Sequence, residues 1–154
     1  MIPHYGDKYD AEVLYDPAES VAPGDGPPDV PPAVVLGFQE ALGEAARARG
    51  NEIDPHPARE LRYYRLSESV AYCPVEAVGV GAPVAAIGAE KAIAAGAAVV
   101  VVLGGCAAVQ PDTPADAALL PTRAVRDEGA SYHYVPAGET LRATPGSSTP
   151  SRTS

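Results

Sequence analysis

Residues 92–111, AIAAGAAVVVVLGGCAAVQP, run without a charge for close to the length of a membrane-spanning helix. How that block divides decides what the rest of the chain can be. Residues 92–95 continue a helix that starts upstream, and Gly96 is a natural helix stop. Residues 98–103 are a short β-branched run, after which Gly104-Gly105 turns the chain. A spanning helix leaves the glycines and the consecutive valines unexplained, whereas helix, stop, strand and turn use every residue. No membrane segment is therefore expected. The unbroken apolar character of 98–103 predicts a strand of a parallel sheet covered on both faces.

The flanking segments fit the same alternation. Residues 33–36 have strand character, Gly37 is a turn, and Phe38, Leu42, Ala45 and Ala46 then fall on one helical face. Gly50-Asn51 ends that helix. Residues 51–68 are charged and expected to be exposed, with Leu61, Tyr63, Tyr64 and Leu66 as an edge strand. Residues 69–80 read as strand. Gly79-Val80-Gly81-Ala82-Pro83 is a glycine turn with proline placed for a helix start, and the helix runs over 83–95. Residues 119–125 and 131–135 are further short strands. Six prolines between Pro17 and Pro32 make 1–32 an irregular arm. The tail, 143–154, offers nothing apolar to bury and is expected to be disordered. The core domain is 33–142, and strands alternating with helices make its class α/β.

Composition narrows the function. The chain has 154 residues, enough for one domain, and its 46% hydrophobic content excludes wholesale disorder. With no Trp, one Phe and one Met, alanine and valine supply the bulk, which predicts close-packed elements. Twenty Asp and Glu oppose eleven Lys and Arg, so no nucleic acid partner is expected. Two cysteines, Cys73 and Cys106, make no disulfide framework, and no Cys/His spacing matches a metal site. The N-terminus MIPHYGDKYD has no signal-peptide core, so the expected location is cytoplasmic.

Three places could carry chemistry. Both glycine turns lie at predicted strand ends, where open α/β sheets bind ligands through backbone amides. The alternative is two tight turns with no ligand. A dinucleotide fingerprint fails because Val84 stands where its third glycine belongs. Residues 126–134 are densely polar. If 131–134 are extended, Ser131 and His133 face one way and Tyr132 and Tyr134 the other, and a Ser/His couple is disfavoured. A structural loop is preferred there, with Arg126 pairing Asp127 or Glu128. Cys106 has no basic neighbour in sequence and reads as a packing residue of its turn. His4 and His56 sit in loops.

Taken in order, these motifs resemble the nucleoside phosphorylase family, in particular its uridine phosphorylase-like branch. The resemblance rests on Gly79-Val80-Gly81-Ala82-Pro83, Glu90, the strand ending at Leu103, the small-residue turn 104–108, and Gln110-Pro111. Val125-Arg126, Gly129-Ala130-Ser131 and His133 complete it. It covers about 70–136 closely and 30–50 more loosely. The resemblance implies a three-layer α/β/α fold around a central mixed sheet, and phosphorolysis of the N-glycosidic bond of a nucleoside of uridine or purine type. Inorganic phosphate would be the co-substrate and no cofactor would be needed. Gly105, Cys106 and Ala107 would contact phosphate or substrate, and His4 could match a histidine lent to a neighbouring subunit. A homo-oligomer is expected on the same ground. No catalytic residue is assigned.

The departures are specific. The family's phosphate-binding arginine falls at Val102, and its threonine in the next turn falls at Gly105. The early phosphate loop is replaced by Gly37-Phe38-Gln39. The family's later strands and acidic ribose-binding segments do not follow residue 145, so the expected domain is C-terminally incomplete and catalytically impaired. A hydrolytic nucleosidase and a non-catalytic remnant of the family are the alternatives.

Overall fold

A computed structural model describes residues 8–20, 30–53, 61–114, 116–138 and 140–142. The chain divides into two compact units, Ala11–Gly105 and a second formed by Cys106–Ser154 with Met1–Asp10. The expected tail and most of the proline-rich arm lie outside the described residues; within the arm, Pro17–Ser20 forms a 3-10 turn.

The first unit is a mixed five-stranded sheet with two helices. Its elements are β1 (Ala33–Gly37), α1 (Glu40–Arg49), β2 (Asn51–Ile53), β3 (Tyr63–Arg65), β4 (Val70–Pro74), α2 (Ala82–Ala94) and β5 (Val99–Leu103). The strand order is β2-β3-β4-β1-β5. Strands β4 and β5 both run parallel to β1, whereas β3 pairs antiparallel with β2 and with β4.

Strand alternation sorts the side chains into two layers. Val34, Leu36, Tyr63, Ala71 and Cys73 join Ala92 of α2 and Ala95 just past its end in one cluster. Val35, Tyr64 and Tyr72 join Ala46 of α1 in the other. The helices therefore cover opposite faces, the α/β/α arrangement that the resemblance implied. Alanine and glycine make these contacts close: a Cβ on Gly88 would sit 3.3 Å from Leu36 Cδ1. Gly43 plays the same part in α1, and it is buried with Ala46 while Leu42 stays exposed. The buried stripe thus lies one position round from the expected Phe38/Leu42/Ala45/Ala46 face.

The apolar block at 92–111 divides as expected at its start. Helix α2 ends at Ala94, Gly96 takes φ 100°, and β5 follows. Among the described residues no helix is long and apolar enough to cross a membrane. The burial expected for β5 is not observed. It is the outermost strand of the sheet, and Val99, Val101, Val102 and Leu103 are 53%, 46%, 58% and 42% exposed. An unbroken apolar run reports what a strand tolerates, not where it stands in the strand order.

Other expectations also change. Strand β3 lies inside the sheet, with Tyr63 and Tyr64 buried, and is not an edge. The strand expected over 69–80 stops at Pro74, whose ring nitrogen cannot donate, and Val75–Ala77 turns as a 3-10 helix.

The second unit holds β6 (Arg123–Val125) and β7 (Thr140–Arg142), paired antiparallel. Pairing begins only after Pro121 of the run expected over 119–125. Ala130–His133 is a 3-10 helix, not a strand, so the alternation of Ser131/His133 against Tyr132/Tyr134 does not apply.

Candidate functional site

The three parallel strands end level. Gly37 of β1 is in register with Pro74 of β4 and with Leu103 of β5, and the Phe38 amide donates to Leu103 O at 2.9 Å. Everything that follows these residues emerges at the carboxyl edge of the sheet, where a parallel fold binds ligands. Three segments leave the sheet at this edge: Phe38-Gln39 after β1, residues 75–81 after β4, and Gly104-Gly105 after β5. A Cβ on Gly105 would lie 2.7 Å from Gln39 Nε2, so that amide is laid directly against the glycine backbone.

Gly81 has a structural obligation. It caps the start of α2 at φ 113°, ψ 168°, a conformation almost confined to glycine, and Ala85 N donates back to its carbonyl at 3.1 Å. Pro83 sits in the first turn, as expected. The glycine turn thus builds the amino end of α2 at the same edge as Gly104-Gly105.

Two polar groups at this edge were not singled out in the sequence. The Tyr72 hydroxyl lies over Gly37, where a Cβ would overlap it, and Glu76 Oε1 lies against Gly43 in the same way. Tyr72 Oη and Glu76 Oε2 are buried without a hydrogen-bond partner. Burial raises the Tyr72 pKa above the usual tyrosine value; the charges of Glu76 and Cys73 add to the rise and Arg47 opposes it. A signal was present, because Glu76 is the one charged residue between Glu68 and Glu90. Cys73, beneath them, has its thiol pKa pushed up to about 12, chiefly by burial and then by Glu76, so it is no nucleophile near neutrality.

The residues that the resemblance nominated are placed as follows. Gly105 is exposed at the end of the sheet unit, and Cys106 and Ala107, next in the chain, are exposed in the second unit. Cys106 is free and exposed, not a packing residue. Val102 projects with 58% of its surface exposed, so no side chain closes over it. His4 and His56 lie outside the described residues. No metal-binding cluster of His, Cys, Asp and Glu occurs among the described residues.

The polar stretch 126–134 belongs to the second unit and is built around one cation. Arg126 is buried; its Nε donates to Ser131 Oγ at 2.9 Å, Nη2 to Val135 O at 3.1 Å and Nη1 to Pro136 O at 2.6 Å. Its guanidinium lies 3.9 Å from the Tyr132 ring centre. It does not pair Asp127 or Glu128 as expected. Glu128 instead accepts from Ser131 N at 3.0 Å, which curls the chain into its 3-10 turn. Tyr9 ties in the N-terminal segment by donating to Tyr132 O and Val135 O at 2.8 and 2.9 Å.

A family model described as the phosphorylase superfamily matches residues 31–152, which takes in every strand of both units. The chain belongs to the phosphorylase superfamily. No curated protein and no solved structure matches it. Membership joins the two units under one family description.

Proposed function

We propose that this superfamily member is a nucleoside phosphorylase-like protein of the uridine phosphorylase-like type. It would take a nucleoside and inorganic phosphate and exchange the N-glycosidic bond for a bond from C1′ to phosphate, releasing the free base. The observation that supports the reading is that Gln39 lies against Gly105 at the carboxyl edge from which the segment leading to the Gly79–Gly81 turn also departs, within a chain matched by the family over 31–152. In that frame the backbone amides at Gly104-Gly105 and the free end of α2 face the anionic co-substrate. Gly105, Cys106 and Ala107 form the bend against which phosphate and sugar rest, and His4 is the candidate contribution from a neighbouring subunit in a homo-oligomer.

One observation favours a second reading. Val102 and Gly105 stand where the resemblance calls for phosphate-binding side chains, and a hydrolase that uses water as nucleophile has no need of them. Base release from uridine and inosine, followed chromatographically with and without phosphate, separates the two. Phosphate-dependent release with formation of pentose 1-phosphate upholds the proposal. Equal release without phosphate replaces it with a nucleosidase. Nucleoside binding by calorimetry with no release under either condition makes the chain a non-catalytic member.

A further inference from the structure

Arg126 has a second aspect that its loop does not use. The side chain is only 9% exposed, yet it lines an open cleft of ≈ 560 Å³ together with Val125, Tyr132, Ala137, Gly138 and Thr140. Guanidinium carries five N–H donors in a fixed fork. Three are spent, one each from Nε, Nη1 and Nη2, and all three go to neutral oxygens. One N–H remains on each terminal nitrogen. No carboxylate stands within ion-pair distance of Arg126 among the described residues; Glu128, at the surface, bears on it weakly from beyond that distance and is linked to it through Ser131. A cation removed from water without an anion beside it is costly, and the cost falls when an anion arrives.

The cleft shows where that anion would enter. Gly138 lies beside Nη1, and a Cβ there would sit 3.9 Å from it. The absent side chain therefore leaves the guanidinium edge open to the cleft. Thr140 brings a hydroxyl to the same wall, while Val125, Ala137 and the Tyr132 ring make the remainder carbon. A charged fork at one end and an apolar wall at the other match a carboxylate on an apolar body better than they match a small, strongly hydrated anion with no apolar part.

We propose that this cleft is a binding site for a small organic acid, with the carboxylate on the free N–H groups of Arg126 and the body against Val125, Ala137 and Tyr132. The site is built from residues of the second unit alone and stands whether or not the phosphorolysis reading does.

The test titrates the full ¹⁵N-labelled chain with benzoate, acetate and inorganic phosphate at constant ionic strength, following the Arg126 Nε–H signal and the Gly138 and Thr140 amides. The expected result is saturable movement of these signals, with benzoate bound more tightly than acetate and than phosphate. Gly138→Val should weaken benzoate about tenfold or more while leaving Tm and the free-state Arg126 signal in place, because it fills the cleft mouth without touching the three loop hydrogen bonds. Arg126→Met should abolish binding, but it also removes the loop's centre, so the Gly138 variant decides. Non-saturable shifts, phosphate or acetate bound at least as well as benzoate, or a Gly138→Val chain that binds benzoate unchanged would each overturn the site.

Discussion

Strands β1 and β5 are nearly the same sequence, AVVLG and VVVVL, and they lie side by side in parallel register. Their surroundings are opposite. Val34 and Leu36 are fully buried, whereas four of the five β5 residues are 42–58% exposed. The difference comes from position in the sheet. Strand β1 has a strand on each side and places side chains in both helix-covered layers; β5 is paired by β1 alone and packs on α2, with its outer side unpaired. Five uncharged residues in an unguarded edge strand are the opposite of how isolated sheets protect themselves.

The contrast is broken most directly by matched deletions. Leu36→Ala removes a fully enclosed side chain and should cost about 2–5 kcal/mol in chemical denaturation. Val101→Ala on β5 should cost below about 1 kcal/mol, since its partners are few. Similar losses at the two positions would show β5 to be covered in solution, and a concentration-dependent Val101 effect would identify a second copy as the cover. The next largest effect concerns how α2 reaches β1. Gly88→Val places a methyl pair where a Cβ already lies 3.3 Å from Leu36 Cδ1, and overpacking of that kind costs about 1–3 kcal/mol. Gly129→Ala, with open space around it, should be nearly neutral. Equal tolerance at both glycines would mean that α2 does not press on the sheet as described.

The same comparison shows what sequence could and could not convey. The division of 92–111 was readable because Gly96 and Gly104-Gly105 are local signals with local consequences. The burial of β5 was not, because strand order is settled by which partners are available, not by the strand's own residues. Tyr63 and Tyr64 erred in the opposite direction: the charged context of 51–68 pointed to an edge, yet pairing on both sides buries them. At the site, the glycine bends were legible and their supports were not. Gln39 matters only because β1 and β5 end level, and Tyr72 only because Gly37 leaves room for its hydroxyl. Around Arg126 the residues were noticed but the geometry was misread, since the turn made by Glu128 and Ser131 overrides strand-like spacing.

Buried and exposed thiols extend the comparison to chemistry. Cys106 should be alkylated quickly in the folded protein, and Cys73 only as the sheet opens, followed by mass spectrometry of labelled peptides. Burial raises the Cys73 pKa from 9.0 to about 12, so the folded state holds its proton more tightly than the unfolded chain. Its contribution is fully present below about pH 9 and is lost as pH rises toward 12. Cys73→Ala should therefore flatten the alkaline limb of a stability-versus-pH curve; an unchanged limb would assign that limb to other groups, Tyr63 and Tyr72 first.

The smallest effect lies in the second unit and runs the other way in pH. Glu128 is held below its ordinary value of 4.5, first by a hydrogen bond from the Ser131 hydroxyl, then by the Ser131 amide, with a lesser pull from Arg126. Ser131 thus accepts from Arg126 Nε and donates to Glu128, linking cation to carboxylate through one hydroxyl. The group titrates more acidic when folded, so its help to the loop is present above the ordinary carboxylate range and fades as pH falls through the lowered value. Because Glu128 is at the surface, solvent screens the interaction and the whole-chain Tm should barely move. The loop should still report it: Ser131→Ala should return the Glu128 titration, followed by side-chain NMR, toward 4.5 and loosen the Arg126 signal. A Glu128 titration indifferent to Ser131→Ala would mean that the hydroxyl does not link the cation to the carboxylate, and that Glu128 is held by the Ser131 amide instead.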